Sequence, residues 1–276
     1  MESIYQNTER IGNFTSSEIV ALTKFGKKVK GVEELPIGEP AYTYVEACNM
    51  ERRLGRNLSS EASTRPIIWG KFIEQRVFDI LEFDYIHTSQ TTLSHPTIPY
   101  WKGSPDFLNN DAVCDAKCPT SLESFCQLVD AYFEKDENGV YQMVHPALTI
   151  EAVRKNHKDG EKFYWQLVSN ACIKGLKYAE LIVYVPYRSE LEIIREMAAN
   201  YNGDQNKIAW INWASDDELP YLIEGGHYQN LNIIRFEVPQ ADKDFLTKRV
   251  IELSKFLEPW PETKLIHPKG ANKLIF

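Results

Sequence analysis

Apolar positions along the chain fall into blocks whose period changes from helical to extended and back. Ile19, Val20 and Leu22 follow Thr15, Ser16 and Ser17, any of which is a good helix N-cap, so a helix is predicted to start there. Tyr44, Ala47, Cys48 and Leu54 predict a second helix over 40–54. Ile68, Phe72, Ile73, Val77, Phe78, Ile80 and Leu81 give a longer one, over 66–83, with a wide apolar face. Residues 55–64 between them read as a polar loop. A strand over 88–94 leads into a hairpin, and Thr120 or Ser121 caps a helix over 121–132. The charged, uneven stretch 134–160 predicts an insertion or mobile loop, with His145 and His157 exposed in it. Beyond it come a helix over 163–176 ending near Gly175, an interior strand 181–187, a helix 190–200, strands 207–213 and 231–238, and an amphipathic helix 242–257. Strands interspersed with helices predict an α/β protein with a mixed central sheet flanked by helices.

The segment Trp101 to Pro119, WKGSPDFLNNDAVCDAKCP, carries the densest chemistry. Val113, Asp115 and Lys117 alternate with Cys114, Ala116 and Cys118, so a strand there puts Asp115 and Lys117 on one face. The turn-forming run Leu108 to Asp111 folds the preceding strand back and brings Asp106 toward Asp115. Two carboxylates at close range raise each other's pKa, and a hard divalent cation such as Mg2+ or Mn2+ relieves that repulsion. Such an ion activates water and neutralises charge on a phosphate, and Lys117 holds the water or offsets charge. Phosphodiester hydrolysis is the reaction class. A D-x-K triplet alone is usually a solvated face with a weak ion pair; the S-P-D, the turn and the alternation bring the metal reading level with it.

The chain has 276 residues, of which 43% are apolar and 25% charged, enough for a substantial core. Its net charge of -8 speaks mildly against a nucleic-acid partner, unless basic residues are confined to one face. Candidate basic stretches are 24–30, Arg52, Arg53 and Arg56, and 154–162. The five cysteines are scattered and lack a C-x2-C pair, which fits a reducing compartment better than disulfides or an iron-sulfur cluster. No long apolar run or leader-like N-terminus is evident, so a cytoplasmic location, with no membrane association, is expected.

Four motifs in order resemble the lambda exonuclease-like (YqaJ-type) viral recombination nucleases of the PD-(D/E)xK superfamily. They are R-I-G-N-F-T-S-S at 10–17, Glu74 on the long helix, G-S-P-D with D-A-K-C-P-T-S over 103–121, and Gln166 nine residues before Gly175. The resemblance implies a restriction-endonuclease-like core at about 8–188, with 190–276 packed on the same single nuclease domain. It implies that Asp106, Asp115 and the Ala116 carbonyl hold one or two Mg2+ or Mn2+ ions, with Glu74 assisting through a water or a second ion, and that Lys117 is the catalytic lysine, with Gln166 orienting it or the attacking water. Arg10 and Ser17 would take the 5'-terminal phosphate. The implied activity is 5' to 3' hydrolysis of one strand of duplex DNA in phage-type recombination, inside a bacterial or phage-infected cell. A trimeric ring and a single-strand annealing protein are the implied partners besides DNA ends. Asp115 stands where close relatives carry Glu, Ser16 where they carry Ala, and Val168 where many carry a second Gln. Two other readings of the residues are an endonuclease of restriction or repair type on the same core, and a catalytically silent DNA-binding or assembly protein.

Overall fold

A computed structural model describes residues 9–261, apart from 29, 32, 34, 59–63 and 89–90. Part of the polar loop and of the strand expected at 88–94 therefore lies outside the described residues, as does part of the basic stretch at 24–30. The helices are α1 (Glu39–Leu54), α2 (Arg65–Leu81), α3 (Leu122–Val129), α4 (Ile150–Asn156), α5 (Gly160–Lys174), α6 (Leu191–Ala199), α7 (Gln205–Trp213) and α8 (Gln240–Ser254). The strands are β1 (Phe14–Thr15), β2 (Ile86–His87), β3 (Leu93–Ser94), β4 (Trp101–Gly103), β5 (Phe107–Leu108), β6 (Ala112–Lys117), β7 (Tyr132–Lys135), β8 (Tyr141–His145), β9 (Tyr178–Tyr184) and β10 (Leu231–Glu237).

The central sheet runs in the order β10, β9, β6, β5, β2. β6 and β9 are parallel, with Asp115 opposite Leu181 and Lys117 opposite Val183, and the other pairs are antiparallel. The sheet is mixed, and both faces are covered. Val113, Leu181 and Val183 face one core with Phe125, Tyr164, Leu167 and Val168. Cys114, Ile182 and Tyr184 face the other, against Trp69, Phe72 and Ile73 of α2 and Ile194, Ile208 and Ile211 of α6 and α7. This is the period of two at work, since successive residues of one strand feed opposite cores. A smaller sheet has the order β1, β4, β3.

The C-terminal third belongs to the same layers. β10 pairs along the whole of β9, and Leu246, Val250 and Leu253 of α8 join the core that also holds α5. Glu190, just 9% exposed, ties several of these elements together. It accepts from Arg76 of α2, Tyr184 of β9, Asn230 and the Tyr187 N–H. Gly160 marks where α4 turns into α5: a Cβ there would lie 2.1 Å from the Val153 carbonyl oxygen, which only glycine allows.

Four expectations from the sequence need correcting. Thr15, Ser16 and Ser17 cap no helix: Phe14–Thr15 pairs in parallel with β4, and a 3-10 helix, Ile19–Thr23, follows without a side-chain cap. The distant partner β4 decides the conformation there. Residues 134–160 are not a mobile loop but the hairpin β7–β8 followed by α4, capped by Thr149. Residues 207–213 are helical, because Ile208 and Ile211, three apart, bury against α2 and α6. His157 is not exposed but 6% accessible, and His145 is half-buried against Tyr132.

Candidate active site

β5 and β6 form the hairpin read from the sequence, with Asn109 closing the turn through hydrogen bonds from the Asp111 and Ala112 N–H groups. Asp106 stands just before β5, and its Oδ2 accepts the Ala116 N–H at 2.8 Å. That bond draws the first carboxylate to the strand that carries the second.

Asp115 is only 1% exposed. Its Oδ1 accepts from Gln166 Nε2 at 2.6 Å, and its Oδ2 is ion-paired with Lys117 Nζ. Gln166 comes from α5, which packs across this face of β6, so the helix reaches a strand carboxylate 51 residues away in sequence. Glu74 of α2 accepts from His87 Nε2 at 3.1 Å, and the His87 ring lies tilted against both Phe78 and Phe107. Burial pushes the Asp106 carboxyl well above the usual range, and the negative charges of Asp115 and Glu74 push it further. Burial alone would lower Lys117, but Asp115 and Asp106 outweigh it and hold the ammonium above its ordinary value.

Asp106 and Asp115, with Glu74 near enough to raise Asp106, offer the hard oxygen donors that suit a divalent cation. Among the described residues no three His, Cys, Asp or Glu side chains form a ready cage. Mg2+ does not need one, since it is held by one or two carboxylates and keeps its waters.

Arg10 and Ser17 also come together. Arg10 Nη2 donates to Ser17 Oγ at 3.0 Å, and Thr15 Oγ1 lies 3.3 Å from the same hydroxyl. Tyr44 of α1 holds this strap, its hydroxyl accepting the Thr15 N–H at 2.8 Å. With only a short 3-10 helix following, an anion here meets side chains rather than a helix dipole. Ser16 is buried, and its hydroxyl is matched by Ser169 at 2.8 Å, which itself accepts from Trp101 Nε1. The polar replacement of a small apolar residue thus carries its own partner. Val168 is fully buried in the core and contributes no polar group.

One open cleft of about 2990 Å3 joins the two clusters, lined by Arg10, Thr15 and Ser17 at one part and by Glu74, Asp106, Asp115, Ala116, Lys117 and Gln166 at another. Tyr201 and Gly203, from the turn between α6 and α7, and Lys207 of α7 line it too, although the sequence there showed no motif. Lys155 and Lys158 reach the cleft, but other basic candidates serve the fold. Arg52 is buried on the Gly12 and Glu258 carbonyls, Arg53 pairs with Glu258, and Arg154 pairs with Glu161. Sequence reasoning gave His87, Tyr44 and Phe163 no role in the site, because Tyr44 read as a helix packing position and no motif marks the other two.

Together the layered mixed sheet, its hairpin and the helix bearing Gln166 have the restriction-endonuclease-like fold. The chain is similar to the alkaline exonuclease LHK-Exo of Laribacter hongkongensis in complex with dAMP, at 16% identity and a TM-score of 0.50 over 91% of each chain. A second structure of that enzyme gives 16% and 0.50 over 90% of this chain and 89% of that one. A phage-related exonuclease from Haemophilus somnus 129PT gives 11% and 0.54 over 89% and 93%. The fold is therefore shared with exonucleases along nearly the whole chain. No protein-family model matches the chain, and no curated protein matches it in sequence. Among the described residues no helix is long and apolar enough to cross a membrane.

Proposed function

We propose that the protein is a Mg2+-dependent exonuclease that hydrolyses phosphodiester bonds at the ends of duplex DNA, from 5' to 3', in phage-type recombination. The observation that carries this is the shared cleft: a carboxylate and lysine cluster opens into the same space as an arginine and hydroxyl cluster. An end-specific nuclease needs both, one to cut and one to hold the terminal phosphate. The fold shared with exonucleases, one of them holding dAMP, supports the same reading.

Asp106, Asp115 and the Ala116 carbonyl would hold the metal, with Glu74 assisting. When bound, the ion supplies an activated water and neutralises charge on the phosphate. Gln166 fixes Asp115 by donating to Oδ1, leaving Oδ2 to Lys117. Lys117, held as an ammonium, offsets negative charge that builds on the phosphate oxygens. Arg10 and Ser17 present a guanidinium and a hydroxyl to the terminal phosphate, which sets the polarity. Lys155, Lys158 and Lys207 on the cleft give a chain of net charge -8 its local attraction for the DNA backbone. A ring assembly and a single-strand annealing partner belong to this reading through the motif resemblance alone.

The test is digestion of linear duplex with Mg2+ or with EDTA, by the parent and by Lys117→Ala and Arg10→Ala. EDTA and Lys117→Ala should abolish nucleotide release. Arg10→Ala should slow digestion of 5'-phosphorylated ends far more than any nicking of closed circles. Equal cutting of closed circles and linear DNA by the parent would replace this reading with the endonuclease one.

A further inference from the structure

α5 meets the D-A-K strand with two side chains, not one. Phe163 lies three residues before Gln166, so both point from the same helix face toward β6. Gln166 binds Asp115, and the Lys117 ammonium lies over the Phe163 ring, 4.8 Å from its centroid. A lysine is a point charge on a flexible four-carbon stem, and one ion pair leaves it free to pivot. An aromatic face attracts the ammonium from a second direction and removes that freedom.

The ring is itself braced. His157 stacks on Phe163 with centroids 5.3 Å apart and planes 29° apart. The Asp159 N–H donates to His157 Nδ1 at 3.1 Å, so Nδ1 is the unprotonated nitrogen. Nε2 then carries the hydrogen and donates to Ser124 Oγ at 2.8 Å. This orientation rules out a serine nucleophile activated by His157, because the ring gives its proton toward the hydroxyl and cannot take one from it. Burial also pushes His157 below the ordinary histidine value, so it stacks as a neutral ring.

We infer that Phe163 is a positioning residue, whose ring face holds the Lys117 ammonium beside Asp115 while the hydrogen-bonded His157 fixes the ring. The inference rests on the nuclease reading above and adds to it a residue that touches neither metal nor substrate. A mere packing role would depend on the volume of residue 163. A cation held on a ring depends on the ring's electron density.

The experiment replaces Phe163 with 4-fluoro-, 3,5-difluoro- and 3,4,5-trifluorophenylalanine, which drain the ring face in steps with little change of shape. With linear duplex and Mg2+, kcat should fall stepwise by about tenfold across the series, the equivalent of about 1.4 kcal/mol of ring contact. KM and Tm should stay constant. A flat kcat series in an active parent overturns the inference and leaves the nuclease reading standing. A parent that releases no nucleotides overturns both. A readout without turnover uses protein labelled with 13C at the lysine ε-carbon. The Lys117 ε-protons, assigned with Lys117→Ala, should be shifted upfield by the ring and return to the ordinary position in Phe163→Leu. An unshifted Lys117 signal in the parent overturns the inference.

Discussion

Gly103→Ala puts a single methyl group where the structure has no room for one. A Cβ on Gly103 would lie 2.3 Å from Asn170 Oδ1, 2.6 Å from Ser16 Oγ and 2.8 Å from Ile173 Cδ1. All three neighbours are enclosed, at 1%, 3% and 5% exposure. Ser16 Oγ cannot retreat without lengthening its 2.8 Å bond to Ser169, and Ile173 is packed in the core. Asn170 has the most freedom, because among the described residues neither of its side-chain polar atoms has a hydrogen-bond partner. Overpacking a close-packed site costs about 1–3 kcal/mol, and two constrained neighbours out of three place this change near 2–3 kcal/mol. For a chain of this size that is a fall in Tm of about 3–5 °C. Urea unfolding measures it directly, with Gly70→Ala as the control. Gly70 sits inside α2 with nothing within 4 Å of its Cβ position, so alanine there should stabilise by about 0.5–1 kcal/mol. Gly103→Ala as stable as the parent, within about 0.5 kcal/mol, would refute the packing described around Ser16.

Ser169→Ala strips the partner from the Trp101 indole N–H and leaves the Ser16 hydroxyl only its longer bond to the Lys102 carbonyl, in a fully buried place. It should destabilise by about 1–3 kcal/mol by urea unfolding, and it should weaken binding of 5'-phosphorylated ends because Ser16 anchors the strap carrying Ser17. For Glu190, burial alone would raise the carboxyl, but the bonds from Tyr187, Asn230, Arg76 and Tyr184 outweigh it and hold it below the ordinary glutamate value of 4.5. A depressed carboxylate contributes stability that is complete above 4.5 and is lost as pH falls through the lower folded value. Parent stability should therefore drop steeply on the acid side of that value, and Glu190→Gln should be less stable at neutral pH with a shallower acid loss. An unchanged pH profile in Glu190→Gln would remove the carboxylate from that role.

The carboxylate hairpin was legible because each cue was local. A turn of Asn and Asp residues fixes the register, and strict alternation fixes the face of Asp115 and Lys117. Gln166 entered only through the motif resemblance, nine residues before Gly175, whose φ of 68° terminates α5. What the sequence misled on depends on distant partners. Phe14 and Thr15 are extended because β4, more than 80 residues on, pairs with them. The run KIAWINW is rich in branched and aromatic residues yet forms a helix, since its burial against α2 overrides propensity. The 132–145 hairpin did leave a trace: the turn E-N-G, with Gly139 at φ 78°, lies between runs suited to strands. His157 was hidden by charged neighbours, because its burial comes from Phe163 and Ser124, residues that no spacing rule links to it.

The central claim is that Asp106 and Asp115 serve one cation. A crystal soaked with Mn2+ and measured at the manganese absorption edge tests it most directly. Anomalous density should appear between the two carboxylates on the cleft side of β6, and should vanish in Asp115→Ala. Density absent from that place in the parent, or unchanged in the variant, would contradict the claim.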